Sequence, residues 1–311
     1  MTEPAAGQRR HGDPFNVGGG CGARLVLKVG DRAFDLTTRA LVMGILNRTP
    51  DSFFDKGATF GLDAFLRRAE EMVAQGADIL DVGGVKAGPG PEVSLAEELD
   101  RVVPAVEALR ERFDVPVSVD TWRAEVARAS FEAGAAVGND ISGFADPEYL
   151  GVAARAGACV VATHIRLAPR VADPDPRYTD VVGEVRELLL DRAERALTAG
   201  IDRERVVLDA GLDLGKTSEQ SLELLRASRE LAGLGYPLLL SASNKTFLGD
   251  VLGRDITRRR EASLVAAAMG VSLGCRVLRV HDVDGTRKVR DTLDRLLAAR
   301  ERRSEARGDP D

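Results

Sequence analysis

Leu41-Val42-Met43-Gly44-Ile45-Leu46 runs directly into Asn47-Arg48-Thr49-Pro50-Asp51-Ser52. The first six residues are apolar or small at every position, as a parallel strand covered on both faces requires. The next six are polar and carry a proline, so the strand gives way to a loop. A doubly wound open sheet usually follows its first strand with a glycine-rich phosphate loop. No G-x-G-x-x-G opens a helix here, and the open sheet lacks its best marker.

Outward from this stretch the same unit recurs. Apolar runs lie at Ile79–Val82, Val117–Val119, Ala136–Asn139, Ala158–Ala162, Val206–Leu208, Leu238–Ala242 and Cys275–Val280. Helical spacing of apolar residues between them predicts helices over Leu66–Gln75, Leu95–Arg112, Arg123–Ala133, Val181–Thr198, Ser221–Leu231, Ala262–Ala268 and Val289–Ala299. A shorter helical segment lies near Pro147–Ala156. Eight strand–helix units over about 260 residues is the arithmetic of a barrel. Ahead of them, Leu25–Val29 and Ala33–Leu36 flank a Gly30-Asp31 turn, the pattern of a hairpin. The expected fold is α/β, a (β/α)8 TIM barrel with an N-terminal β-hairpin. A leader is expected over residues 1–22, the barrel over 23–300 and a charged tail over 301–311.

Composition narrows the function. The 311 residues are 44% hydrophobic and 30% charged, ordinary for a globular chain. The formal net charge of −6 and the lack of a strong basic patch argue against nucleic acid and anionic membrane as partners. No apolar stretch approaches the roughly 20 residues of a membrane helix. Arg9, Arg10 and His11 precede no apolar core, so no secretory signal is expected. Cys21, Cys159 and Cys275 lack metal-ligand spacing, and a sparse odd count points to a reducing compartment. A cytoplasmic location is expected.

Chemistry in a barrel of this kind sits at the carboxyl ends of the strands. All eight expected strand ends carry polar groups. Asp120, Asn139, Asp209 and Lys245 offer the acceptors and donors that a flat nitrogen heterocycle needs; a carboxylate accepts two N–H bonds from an amidine-like edge. Asn47, Arg279 and His281 suit a phosphate group, and Asn47 also suits Mg²⁺. Taken singly, Asp120, Asn139 and Asp209 read equally well as caps of βα turns. His164 reads as structural and Lys216 as a group paired at the barrel rim. Trp122 and Arg123 open a helix and need no functional role.

At these residues the sequence resembles dihydropteroate synthase, the folate enzyme that joins a dihydropterin pyrophosphate to p-aminobenzoate. The resemblance runs from about Leu25 to Ala299. Met43 to Phe53 is similar to the family's M-G-I-L-N-V-T-P-D-S-F. Ser118–Thr121, Asn139–Gly143 and Arg279–Val283 match further motifs. The resemblance implies a pterin pocket of Asp120, Asn139, Asp209 and Lys245. It implies a pyrophosphate site of Asn47, Arg279 and His281, with Mg²⁺ at Asn47. Arg279, His281 and Lys245 are the implied catalytic residues, and a homodimer is the implied assembly.

The departures cluster. The family's G-G-E-S-T-R-P-G second loop is Gly83-Gly84-Val85-Lys86-Ala87-Gly88-Pro89-Gly90, without its Thr and Arg. The family's D-P-G-I-G-F-G-K is Asp209-Ala210-Gly211-Leu212-Asp213-Leu214-Gly215-Lys216. The Phe that packs on the benzoate ring is thus Leu214, and one glycine is Asp213. The family's S-R-K is Ser243-Asn244-Lys245. The p-aminobenzoate region (Val85, Lys86, Ala87, Gly88, Leu214, Ser243, Asn244) is altered while the pterin and pyrophosphate residues stand. This pattern resembles the divergent second synthase copy that actinobacteria carry beside the active one. Three functions are carried forward. They are a synthase-type transferase using p-aminobenzoate or another arylamine, an inactive pterin-binding paralogue with a regulatory or partner role, and a pterin-dependent methyltransferase. Retention of the pyrophosphate residues argues against the last.

Overall fold

The structure, a computed structural model, describes residues 24–48, 58–253, 255 and 258–307. The expected leader over 1–22 lies outside the described residues, as do Cys21 and Thr49 to Lys56.

Strands β1 (Val26–Val29) and β2 (Arg32–Asp35) form the expected antiparallel hairpin. Eight parallel strands follow: β3 (Leu41–Asn47), β4 (Ile79–Gly83), β5 (Val117–Asp120), β6 (Val137–Asp140), β7 (Cys159–Thr163), β8 (Val206–Asp209), β9 (Leu238–Leu240) and β10 (Cys275–Val280). They close in the order β10-β3-β4-β5-β6-β7-β8-β9. The TIM barrel and its hairpin are those the sequence predicts.

Two apolar cores result from strand alternation. One set of side chains points out, where Val42, Leu80, Val119, Val160 and Leu208 pack under the helices. The other points in, where Leu41, Met43, Ile79, Val137, Cys159, Val161, Val207, Leu239 and Val277 fill the barrel. Leu27, Val29 and Leu36 of the hairpin region join this inner cluster. The hairpin therefore stoppers the end where the strands begin. Arg276 holds it through the Leu36 carbonyl at 2.9 Å, and Arg205 through the Gly30 carbonyl at 3.2 Å. With that end filled, only the carboxyl end is left to receive a ligand.

The outer helices are α1 (Ala58–Ala74), α2 (Leu95–Arg112), α3 (Ala124–Glu132), α4 (Tyr149–Ala156) and α5 (Val181–Thr198), then α6 (Ser218–Arg226) and α7 (Ser228–Ala232). After β9 come α8 (Thr246–Leu252), α9 (Arg260–Ser272) and α10 (Val283–Arg307). The expected single helix over Ser221–Leu231 is two, parted at Ala227. The Ser228 hydroxyl bonds back to the Leu224 carbonyl there, a contact that bends helices. The short helix α8 was not expected, because its start is the polar Asn244-Lys245-Thr246. No described helix is long and apolar enough to cross a membrane.

Candidate functional site

Strand register brings the expected residues into rows. Asn47 pairs with Gly83, Gly83 with Asp120, and Asp120 with Asn139. One belt at the carboxyl rim thus holds Asn47, Asp120 and Asn139 on successive strands. Gly83 lies between them: a Cβ there would sit 3.5 Å from Asp120 Oδ2 and 3.7 Å from Asn47 Oδ1. Across the barrel, Thr163 pairs with Asp209 in the equivalent rim row.

Arg279 crosses the mouth from β10. Its Nε donates to Asp81 Oδ2 and its Nη2 to Asp120 Oδ2, each at 2.6 Å. Asn139 Nδ2 donates to the same Asp81 oxygen at 3.2 Å. Asp81, fully buried one layer below the belt, was not among the expected site residues. A charge at a strand position that the barrel buries was the signal that could have found it. Burial pushes the Asp120 carboxyl up to about 7, with Arg279 opposing and Asp81 reinforcing the rise. Arg279 stays charged, its guanidinium held by the same two carboxylates. The separately expected heterocycle and phosphate sets are therefore joined by one ion-paired residue.

The turns behind these strands are locked. Glu98 of α2, fully buried, accepts from Thr121 Oγ1 at 2.6 Å and Arg123 Nη1 at 2.8 Å. Arg123 thus anchors the loop after Asp120. Asp140 caps the turn after Asn139, accepting from the Ser142 and Phe144 amides.

On the opposite wall, Asp209 Oδ1 accepts from the Gly211 amide at 2.8 Å. Burial raises its carboxyl, while Lys245, Arg279 and Lys216 favour the charged form. Lys216 Nζ lies 2.9 Å from His164 Nδ1 and donates to the carbonyls of Gly211 and Leu214. Burial lowers Lys216 to about 7 and His164 to about 3. Both side chains are buried in this wall, and Lys216 links the β7 and β8 loops through these bonds. Gly211 has φ +64°, and a Cβ there would fall 1.9 Å from the His164 carbonyl oxygen, so the loop needs glycine. Lys245 opens α8; burial lowers it, against the pull of Asp213 and Asp209.

His281 turns toward Ser243, with Nδ1 at 3.0 Å from Oγ. Burial, followed by Arg279, Lys245 and Arg68, lowers it to about 4, so the ring is neutral near pH 7. A cleft of about 420 Å³ opens beside it, lined in part by Ser243, Asn244, Arg68, Arg260 and Ser263. In the second loop Val85 is buried, and Lys86 and Gly88 are exposed. Arg170, from the β7–α5 loop, donates its amide to the Ala87 carbonyl at 3.0 Å and its guanidinium to those of Lys86 and Pro91.

Comparison with known proteins decides the family. The pterin binding enzyme family matches residues 43–281, from β3 to the histidine after β10. The chain belongs to this family. It is 44% identical over 268 residues to a Mycobacterium leprae protein named inactive dihydropteroate synthase 2, covering 84% of this chain and 92% of that one. It is 41% identical over 273 residues to the dihydropteroate synthase of Synechocystis, covering 87% and 94%. The dihydropteroate synthase of Yersinia pestis, solved with a sulfonamide drug, superposes with a TM-score of 0.82 at 38% identity over 88% of this chain and 99% of that one. The chain is thus a dihydropteroate synthase-like member of the pterin-binding family, with relatives bearing both active and inactive names.

Proposed function

We propose that this protein binds a dihydropterin pyrophosphate at the carboxyl end of the barrel, and that condensation with p-aminobenzoate is crippled or lost. The observation that carries the reading is the joined cluster of Asp81, Asp120, Asn139 and Arg279, set beside Asp209 and Lys245. Asp120 and Asp209 would accept the N–H groups of the pterin edge. Asn139 would complement its carbonyl and N–H pair, and Lys245 would donate to a ring acceptor. Arg279 spends two of its five donors on carboxylates and keeps three for a pyrophosphate oxygen. His281, neutral at pH 7, would donate one bond to the same group.

Mg²⁺ fits this site as an ion held mainly by the ligand's phosphates. Among the described residues no group of three His, Cys, Asp or Glu side chains could hold a metal alone. Asn47 Oδ1 supplies one hard oxygen at the rim, and Mg²⁺ commonly takes only one or two protein ligands beside phosphate. When bound, the ion would offset the charge of the departing pyrophosphate. Homodimerisation follows from the family resemblance and a cytoplasmic setting from the sparse, odd cysteine count; both belong to this proposal.

The acceptor side supports impaired turnover. The second loop has Ala87 and Gly88 where the family motif has Thr and Arg, and Leu214 stands in place of an aromatic ring. Loss of one preorganised donor raises a barrier by about 2.7–4 kcal/mol. An ammonium at Lys86 does not reproduce the planar fork of an arginine. The test is pyrophosphate release from 6-hydroxymethyl-7,8-dihydropterin pyrophosphate with Mg²⁺, with and without p-aminobenzoate. The expected outcome is no p-aminobenzoate-dependent release from folded protein. Release at the rate of an active synthase would overturn the claim of impaired condensation.

A further inference from the structure

Asp213 has φ +65°, where a side chain is strained. Gly211 and Gly215 in the same loop also have positive φ and meet it with glycine. The chain keeps a carboxylate at the third such position, and strain of this kind is characteristic of functional sites. The carboxylate is fixed by bonds across the wall. Its Oδ2 accepts from the Thr246 amide at 2.5 Å and its Oδ1 from the Phe247 amide at 3.4 Å. Its own amide donates to Ser221 Oγ at 3.1 Å. Asp213 therefore ties the loop bearing Leu214 to the turn bearing Ser243, Asn244 and Lys245.

We propose that Asp213 sets the charge of the acceptor, favouring an amine whose remote end is uncharged or cationic over one that bears a carboxylate. The proposal rests on the pterin-site reading above. The Lys245 ammonium already lies in the field of three carboxylates, Asp213, Asp209 and Asp120. Lys216 is spent on the carbonyls of Gly211 and Leu214. Arg259 directs Nη1 to the carbonyls of Asn244 and Lys245. These donors of Lys216 and Arg259 are turned onto backbone carbonyls, while Arg259 Nε is buried without a hydrogen-bond partner among the described residues. A carboxylate arriving here meets a fixed like charge as it loses water, whereas a neutral group of the same shape does not. Relative to the family motif, Asp for Gly at 213 and Asn for Arg at 244 both make the wall more negative.

Three amines of one shape test this: p-aminobenzoate, p-aminobenzamide and p-aminobenzamidine, with remote charges of −1, 0 and +1. Each is titrated calorimetrically into the full chain, first alone and then after saturation with 6-hydroxymethylpterin and pyrophosphate. The wild-type protein is expected to bind p-aminobenzoate about tenfold more weakly than p-aminobenzamide, a modest like-charge penalty. Asp213→Asn, which keeps the shape, and Asp213→Gly, which removes the strain, should both bring the two within about twofold. Thermal melts of each variant check folding. Equal or tighter p-aminobenzoate binding by the wild type, an unchanged ratio in folded Asp213→Asn, or no amine binding at all would overturn the proposal. Failure of the pterin to bind in the preceding titration would instead overturn the pterin-site reading, and the amine ratio is still read on the ligand-free chain.

Discussion

Asp120 is both a partner of Arg279 and a candidate acceptor for the ligand. Its carboxyl stands at about 7 because burial outweighs the nearby guanidinium. A ligand edge that donates two N–H bonds favours the carboxylate, so binding must first remove the proton at low pH. The sign follows: affinity rises with pH through 7 and levels off above it. Below 7 the loss approaches about tenfold per pH unit. Pterin binding measured by fluorescence between pH 5.5 and 8.5 should show this slope, and Asp120→Asn should bind weakly with a flattened profile. The same slope in the variant would assign the titration to another group, such as Lys216. For stability the sign is opposite. A raised carboxyl favours the fold below its unfolded value of 3.8, and that contribution is lost as pH rises through about 7.

At this scale the sequence was readable where a polar residue ends an apolar run. Asn47, Asp120, Asn139 and Asp209 all announce themselves that way. Asp81 is also among the polar residues of its strand end, but it lies inside the run and nothing local tied it to a site role. Its partner Arg279 lies 198 residues away, and only barrel closure brings them together.

Among the elements, the second loop differs most from the family motif. Arg170 reaches it from the next-but-two βα connection and grips the carbonyls of Lys86, Ala87 and Pro91. Backbone carbonyls have no sequence signature, so this tether was invisible until the loops were placed. Arg170→Ala removes the guanidinium bonds and keeps the backbone one. Exposed bonds of this kind contribute about 1 kcal/mol. Amide hydrogen exchange at residues 86–92 should therefore quicken about fivefold in the variant, with the barrel strands unchanged. Unaltered exchange in the loop would show that Arg170 does not hold it. Helix α8 was hidden for a related reason. Its start is polar, and it is secured by Asp213 from a different loop.

For the whole molecule, the decisive feature is a barrel closed at one end and chemically furnished at the other. Leu27, Val29 and Leu36 fill the starting end, and the inward apolar layer continues through Met43, Val161 and Val277. Above that layer stand the charged and amide side chains of Asp81, Asp120, Asn139, Asp209 and Arg279. Strand period and strand count made this division legible, because eight buried runs ending in polar residues admit few other arrangements. The central claim is that this furnished end receives a dihydropterin pyrophosphate. Calorimetric titration of that compound with Mg²⁺ into the wild type and Asp209→Asn tests it most directly. The account predicts one site per chain in the wild type and at least about tenfold weaker binding in the variant, the loss of one charged hydrogen-bond acceptor. No heat of binding to folded wild-type protein, or equal affinity for both, would contradict it.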